Sequence, residues 1–109
     1  MKGKYLGEFE EIVMLSVGVL YDEAYGIAIK ELIEERLARR VGLGALHATL
    51  VRLEEKGFLD SHYGDATQKR GGKRKRIFRV TMQGQKALKE MMAARQSLWN
   101  SIPPLAFDI

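Results

Sequence analysis

Apolar residues recur at helical spacing through most of this chain, interrupted late by short alternating runs. Phe9, Ile12, Val13, Ser16, Val17 and Leu20 predict a first helix over 7–20. Glu8, Glu10 and Glu11 fall in its first turns, where the helix dipole favours anions. Val13, Met14 and Leu15 make that helix apolar around much of its girth, which implies burial on more than one side. Asp22 is placed to cap a second helix over 24–38, in which Tyr25, Ala28, Ile29, Leu32 and Ile33 share a face. A third helix over 43–56 turns Leu43, Leu46, Leu50 and Leu53 inward and stops at Gly57. Residues 58–63 and 77–81 alternate as strands. Thr81 caps a last helix over 82–102, whose stripe is Leu88, Met91, Met92, Arg95, Leu98, Trp99 and Ile102. Pro103 and Pro104 end it, leaving a short apolar tail.

This order predicts a mainly α fold with a small β-hairpin: a winged helix-turn-helix plus a long C-terminal dimerisation helix. The winged domain would cover 1–81, the helix 82–102 and the tail 103–109. The domain before it has helices and a hairpin of its own, so the last stripe has few local partners. A second copy is the natural one.

The third helix carries the candidate chemistry. At about 100° per residue, Gly44, Ala45, Ala48, Val51, Arg52 and Glu55 lie opposite its leucines, with His47 and Thr49 on the flanks. Its outward N-terminal half is therefore small and uncharged as far as Arg52. Such a helix can enter a DNA groove N-terminus first: small residues permit close approach, and carboxylates stay away from the backbone. Ala45, Ala48 and Thr49 offer methyl contacts and Arg52 a guanine-reading guanidinium. An ordinary amphipathic helix would show the same pattern.

Charge sharpens the picture. The chain of 109 residues has 18 Lys and Arg against 14 Asp and Glu. Lys69, Arg70, Lys73, Arg74, Lys75 and Arg76 crowd the second half of the loop between the strands, with Gly71 and Gly72 as hinges. Without these cations the balance turns negative, so the basic character is local and points to a polyanion. A wing tip lying on phosphates fits, with help from His47. Tyr25 could bring a phenol to a phosphate, or be a core tyrosine beside a tight helix contact.

At this point the chain resembles the PadR family of bacterial transcriptional regulators. The resemblance rests on LGEFEEIVML (6–15), DEAYGIAIKELIEE (22–35), LGALHATLVRLEEKGFL (43–59) and RGGKRKRIFRVTMQGQKAL (70–88), which stand in family order. It implies a reading helix at 43–56 and a wing centred on Gly71, Gly72, Lys73 and Arg74. It implies a homodimer built from the last helix and the partner's first, with Phe9, Val13 and Met14 contributing. It further implies double-stranded DNA with a palindromic operator as partner, and usually repression. The single C-terminal helix looks like the family's short branch. Some short members bind flat aromatic ligands between subunits, which would place Met14, Met92 and Trp99 at an effector; Trp99 as a packing anchor is the plainer reading. The chain departs from the family where a serine usually opens the third helix, here Gly42, and where a tyrosine is frequent, here His47.

Other chemistry finds little support. There are no cysteines, and His47 and His62 are the only histidines, so no metal or cofactor is expected. No serine has a triad around it, and the glycines match no phosphate loop, so an enzyme is not expected. No apolar run approaches the roughly 20 residues of a membrane span. The expectation is a cytoplasmic protein, at the nucleoid when bound to DNA. The competing function is a winged-helix protein-interaction module without specific DNA binding.

Overall fold

A computed structural model describes residues 6–64 and 74–108 of the chain. Helix α1 (Glu8–Leu20) is followed by a 3-10 turn at Tyr21–Glu23 and helix α2 (Gly26–Leu37). Helix α3 (Leu43–Glu55) leads into strand β1 (Leu59–Tyr63), its partner β2 (Arg76–Val80) and helix α4 (Met82–Ser101). A further 3-10 turn covers Pro104–Phe107. The strands are antiparallel, with Leu59 opposite Val80 and Tyr63 opposite Arg76. The winged helix expected from the hydrophobic pattern is the fold.

The core lies where α1 packs against α2, α3 and the hairpin. Val13, Met14, Val17, Ile29, Ile33, Leu46, Leu50, Leu53, Phe58, Leu59 and Phe78 are buried in it. Helix α1 is therefore central, and its faces divide. Val13, Met14 and Val17 point into the core, whereas Leu15 and Val19 remain exposed.

Several local expectations are corrected. The N-cap of α2 is Tyr25, without a side-chain bond, because the Tyr21–Glu23 turn places Asp22 too early to cap. Leu43 is exposed at the first turn of α3, and Thr49 takes its place among the buried residues. The caps at Gly57 and Thr81 are as expected. Gly57 has φ of 83°, and the Thr81 hydroxyl accepts from the Gly84 N–H at 3.0 Å.

The start of α4 is welded to the base of the hairpin. The Thr81 N–H donates to the Phe58 carbonyl at 3.0 Å, and its hydroxyl donates to the Gly57 carbonyl. Gly84 is buried, and a Cβ there would lie 2.2 Å from the Phe58 carbonyl oxygen. Ala87, Leu88 and Met91 extend this contact over the core. From residue 92 to 101 every residue is exposed. The radius of gyration is 16.4 Å, against about 13 Å for a compact chain of this length, because α4 projects.

Candidate nucleic-acid interface

Helix α3 is set at its entry by Glu34. That carboxylate accepts from the Val41 N–H at 2.8 Å and from Lys30 Nζ at 2.9 Å, which fixes the turn between α2 and α3. The Val41 bond, then Lys30, lowers the Glu34 pKa against a small opposing effect of burial. Past this turn Gly44, Ala45, His47 and Ala48 stand exposed without an acid among them.

The exit of α3 is held by Glu10, which is only 8 % exposed. Burial raises its pKa, but donation from the Gly7 N–H, Lys56 and Arg52 outweighs that, and the net shift is downward. Lys56 Nζ lies 2.9 Å and Arg52 Nε 3.2 Å from its Oε2. The sequence suggested only a dipole role for Glu10 and Glu11; both are buried ion-pair acceptors. Their cations lie 42 to 84 residues away, beyond the reach of local pattern.

This geometry changes two expected readers. Thr49 is 3 % exposed, its hydroxyl donating to the Ala45 carbonyl at 2.9 Å and accepting from Arg52 Nη2, so it does not face a groove. Arg52 keeps an exposed edge, but its Nε is committed to Glu10. The exposed methyls are those of Ala45 and Ala48.

The wing root closes against the same face. Arg76 Nη2 pairs with Glu54 on α3, and its Nε donates to the Ser61 hydroxyl, which donates to Glu54 at 2.7 Å. Arg76 thus braces the hairpin against α3 instead of pointing outward as a phosphate ligand, and it neutralises one α3 carboxylate. Lys75 Nζ stands 4.0 Å from the centre of the Tyr25 ring, a cation–π contact. Arg74 is exposed, with its Nε on the Gly64 carbonyl. The Phe78 N–H donates to the Ala24 carbonyl at 2.9 Å, tying β2 to the start of α2.

These pieces line one cleft of 360 Å³, which brings together Tyr25, His47, Arg74, Lys75 and Arg76 beside the first turns of α2 and α3. Lys69, Arg70 and Lys73 lie outside the described residues, as do Gly71 and Gly72. Among the described residues no group of acids and histidines could hold a metal ion, and no helix is long and apolar enough to cross a membrane.

The expected dimer stripe splits in two. Val13 and Met14 are fully buried in their own protomer, so neither can face a second copy or an effector lying between copies. Phe9, Leu88 and Met91 pack against the same core. Arg95 is taken up by a bidentate pair with Glu11, itself 4 % exposed. Met92, Leu98 and Trp99 are exposed, and Ile102 is half-buried. The outward large apolar residues of α1 are Leu15 and Val19; the sequence implied burial of this helix on more than one side, but its apolar girth did not tell which residues face the core, and neither was among the expected dimer residues.

A helix-turn-helix braced to a basic hairpin defines a winged-helix protein. The transcriptional regulator PadR-like family model matches residues 10–90, and the chain belongs to that family, whose members are transcription regulators and not enzymes. A PadR-like transcription factor from Bacteroides fragilis is 26% identical, covers 85% of this chain and 84% of its own, and superimposes with a TM-score of 0.70. A PadR family regulator from Eggerthella lenta is also 26% identical, over 92% of this chain and 87% of its own, at a TM-score of 0.67. Bacillus subtilis PadR in complex with operator DNA shares the fold at 17% identity, over 78% of this chain and 46% of that one, with a TM-score of 0.63. No curated protein matches the chain.

Proposed function

We propose that this protein is a homodimeric, sequence-specific DNA-binding transcriptional regulator that represses from a palindromic operator. The supporting observation is the cleft at the wing root. It sets Tyr25, His47, Arg74 and Lys75 beside the exposed, acid-free half of α3. Phosphates would meet Arg74, Lys75 and the tip cations Lys69, Arg70 and Lys73, with the Tyr25 phenol and His47 on the same strand. Gly44, Ala45 and Ala48 would approach base edges, where methyls suit thymine. Arg76 acts by holding the wing in place. These contacts hold register, and the small α3 surface carries the sequence information.

The dimer uses the exposed end of α4 and the outward face of the partner's α1. Trp99 serves there as a packing anchor, a role that also suits an aromatic side chain 64 % exposed in one protomer. A planar aromatic effector would meet Trp99 and Met92 but not Met14. Such a protein works in the cytoplasm, at the nucleoid while on its operator.

Binding of random duplex DNA at about 50 mM salt tests the reading, because the phosphate contribution is strongest at low salt. Binding is expected there, and Arg74→Ala should lower the slope of log K against log salt by about 0.9 per lost phosphate contact. Absence of binding would instead favour a protein-interaction module. An unchanged slope with intact binding would remove Arg74 from the interface.

A further inference from the structure

Histidine is the side chain whose charge changes in the neutral pH range, and one stands on the face that this protein would turn to DNA. His47 lies in the second turn of α3 and is exposed beside the acid-free stretch of Gly44, Ala45 and Ala48. Its neighbours one turn away along the helix, Leu43, Gly44, Leu50 and Val51, carry no charge. The polar groups that line the 360 Å³ cleft with it come from two other elements. The start of α2 supplies the Tyr25 phenol, and the wing root supplies Arg74, Lys75 and Arg76.

Those cations are engaged to different degrees. Arg76 is paired with Glu54, and Lys75 sits 4.0 Å from the centre of the Tyr25 ring. Arg74 is exposed, with its Nε on the Gly64 carbonyl. Among the described residues no carboxylate lines the cleft, Glu54 included. Asp65 lies outside the described residues, like the tip cations. A backbone phosphate entering the cleft therefore brings an anion where the described lining has none. The neutral imidazole donates one hydrogen bond, whereas the charged ring donates from both nitrogens and attracts the phosphate as an ion. An anion within about 4–6 Å favours the charged form.

We propose that His47 takes up a proton from solvent as phosphate enters the cleft, so that this protein binds duplex DNA more tightly as pH falls through the neutral range. The sign follows from linkage: a complex that holds a proton missing from the free protein is favoured by lower pH. A single site limits the effect to about tenfold in affinity per pH unit. This inference rests on the DNA-binding reading above and adds a proton as a co-ligand of the complex. Arg74, always charged, sets how firmly the wing root holds DNA; His47 sets how that hold follows pH.

The decisive measurement is the affinity for a random duplex at about 50 mM salt and fixed ionic strength, from about pH 6 to 8.5. Carboxylates are already ionised there, and phenol, ammonium and guanidinium groups of side chains stay protonated. Wild-type affinity should fall roughly three- to tenfold between about pH 6 and 8. His47→Gln, a change at an exposed helical site, should show little change across that range. His62→Gln, which removes the only other histidine from the exposed side of β1, should keep the wild-type response. Calorimetry near neutral pH in two buffers of different ionisation heat should show proton uptake on binding by the wild type and none by His47→Gln. Equal pH responses of wild type and His47→Gln would overturn the proposal while leaving DNA binding standing. A response lost in His62→Gln instead would overturn it too, by assigning the proton to the wing strand. Absence of binding at every pH by all three proteins would overturn both this inference and the reading beneath it.

Discussion

Glu10 and Glu11 show how much one residue's surroundings can alter its role. Both look like ordinary first-turn acids, yet each is less exposed than most of the chain's aliphatic side chains. Burial of a carboxylate is costly unless donors compensate, and here they do. Glu10 has a folded-state pKa below its unfolded value. Its stabilising contribution is therefore complete above the unfolded value of about 4.3 and is lost as pH falls through the lower folded value. Glu34 has the same sign. Glu10→Gln should cost about 1.5–3 kcal/mol in urea denaturation at neutral pH, the scale of a charge-assisted hydrogen bond. The difference between the two proteins should shrink on acidification through that range; a constant difference would show that shape, not charge, matters at this position. No local pattern could reveal these pairs, because the cations that bury the acids come from α3 and α4.

At the scale of elements, two glycines within helices give opposite expectations. A Cβ added at Gly44 would have nothing within 4 Å, while one added at Gly84 would collide with the Phe58 carbonyl. Helix propensity alone favours alanine at both by up to about 1 kcal/mol. Gly44→Ala should therefore raise stability by about that amount in thermal or urea unfolding. Gly84→Ala should lower it by about 1–3 kcal/mol, because overpacking against backbone exceeds the propensity gain. Equal effects would mean that α4 does not press on the hairpin base. The ends of all the helices and strands were legible within a residue or two, since caps and breakers are local. Which face of a helix is inward was legible only where one face alone is apolar. On α3 that missed just Leu43 and Thr49, whereas on α1, apolar all round, it failed for the dimer residues. Of the residues named from sequence, Tyr25, His47, Arg74, Lys75 and Arg76 do line one cleft, but the brace from Arg76 to Glu54, which joins residues 22 apart, was not legible.

The whole molecule is a compact winged domain with an arm. Sedimentation at micromolar concentration should give twice the mass of a 12.4 kDa chain. A single-chain mass would contradict the assignment of the arm's outer half to a partner. The apolar content of that half is evident from sequence, but the division of α4 between its own core and solvent is not, since the stripe runs unbroken through both. Exposure marks the boundary near residue 92, just beyond Met91.

The joint at Gly57, Thr81 and Gly84 has a consequence for reach. Strand β2 ends at Val80 and α4 begins at Met82, with the intervening threonine bonded both to the hairpin base and to the first turn of the helix. The wing and the arm are thus one stiff lever with no slack in its elbow. In a dimer built on that arm, the gap between the two reading helices is a ruler cut by the elbow's angle. The protein should tolerate substitutions within an operator half-site better than the insertion of a single base pair between half-sites.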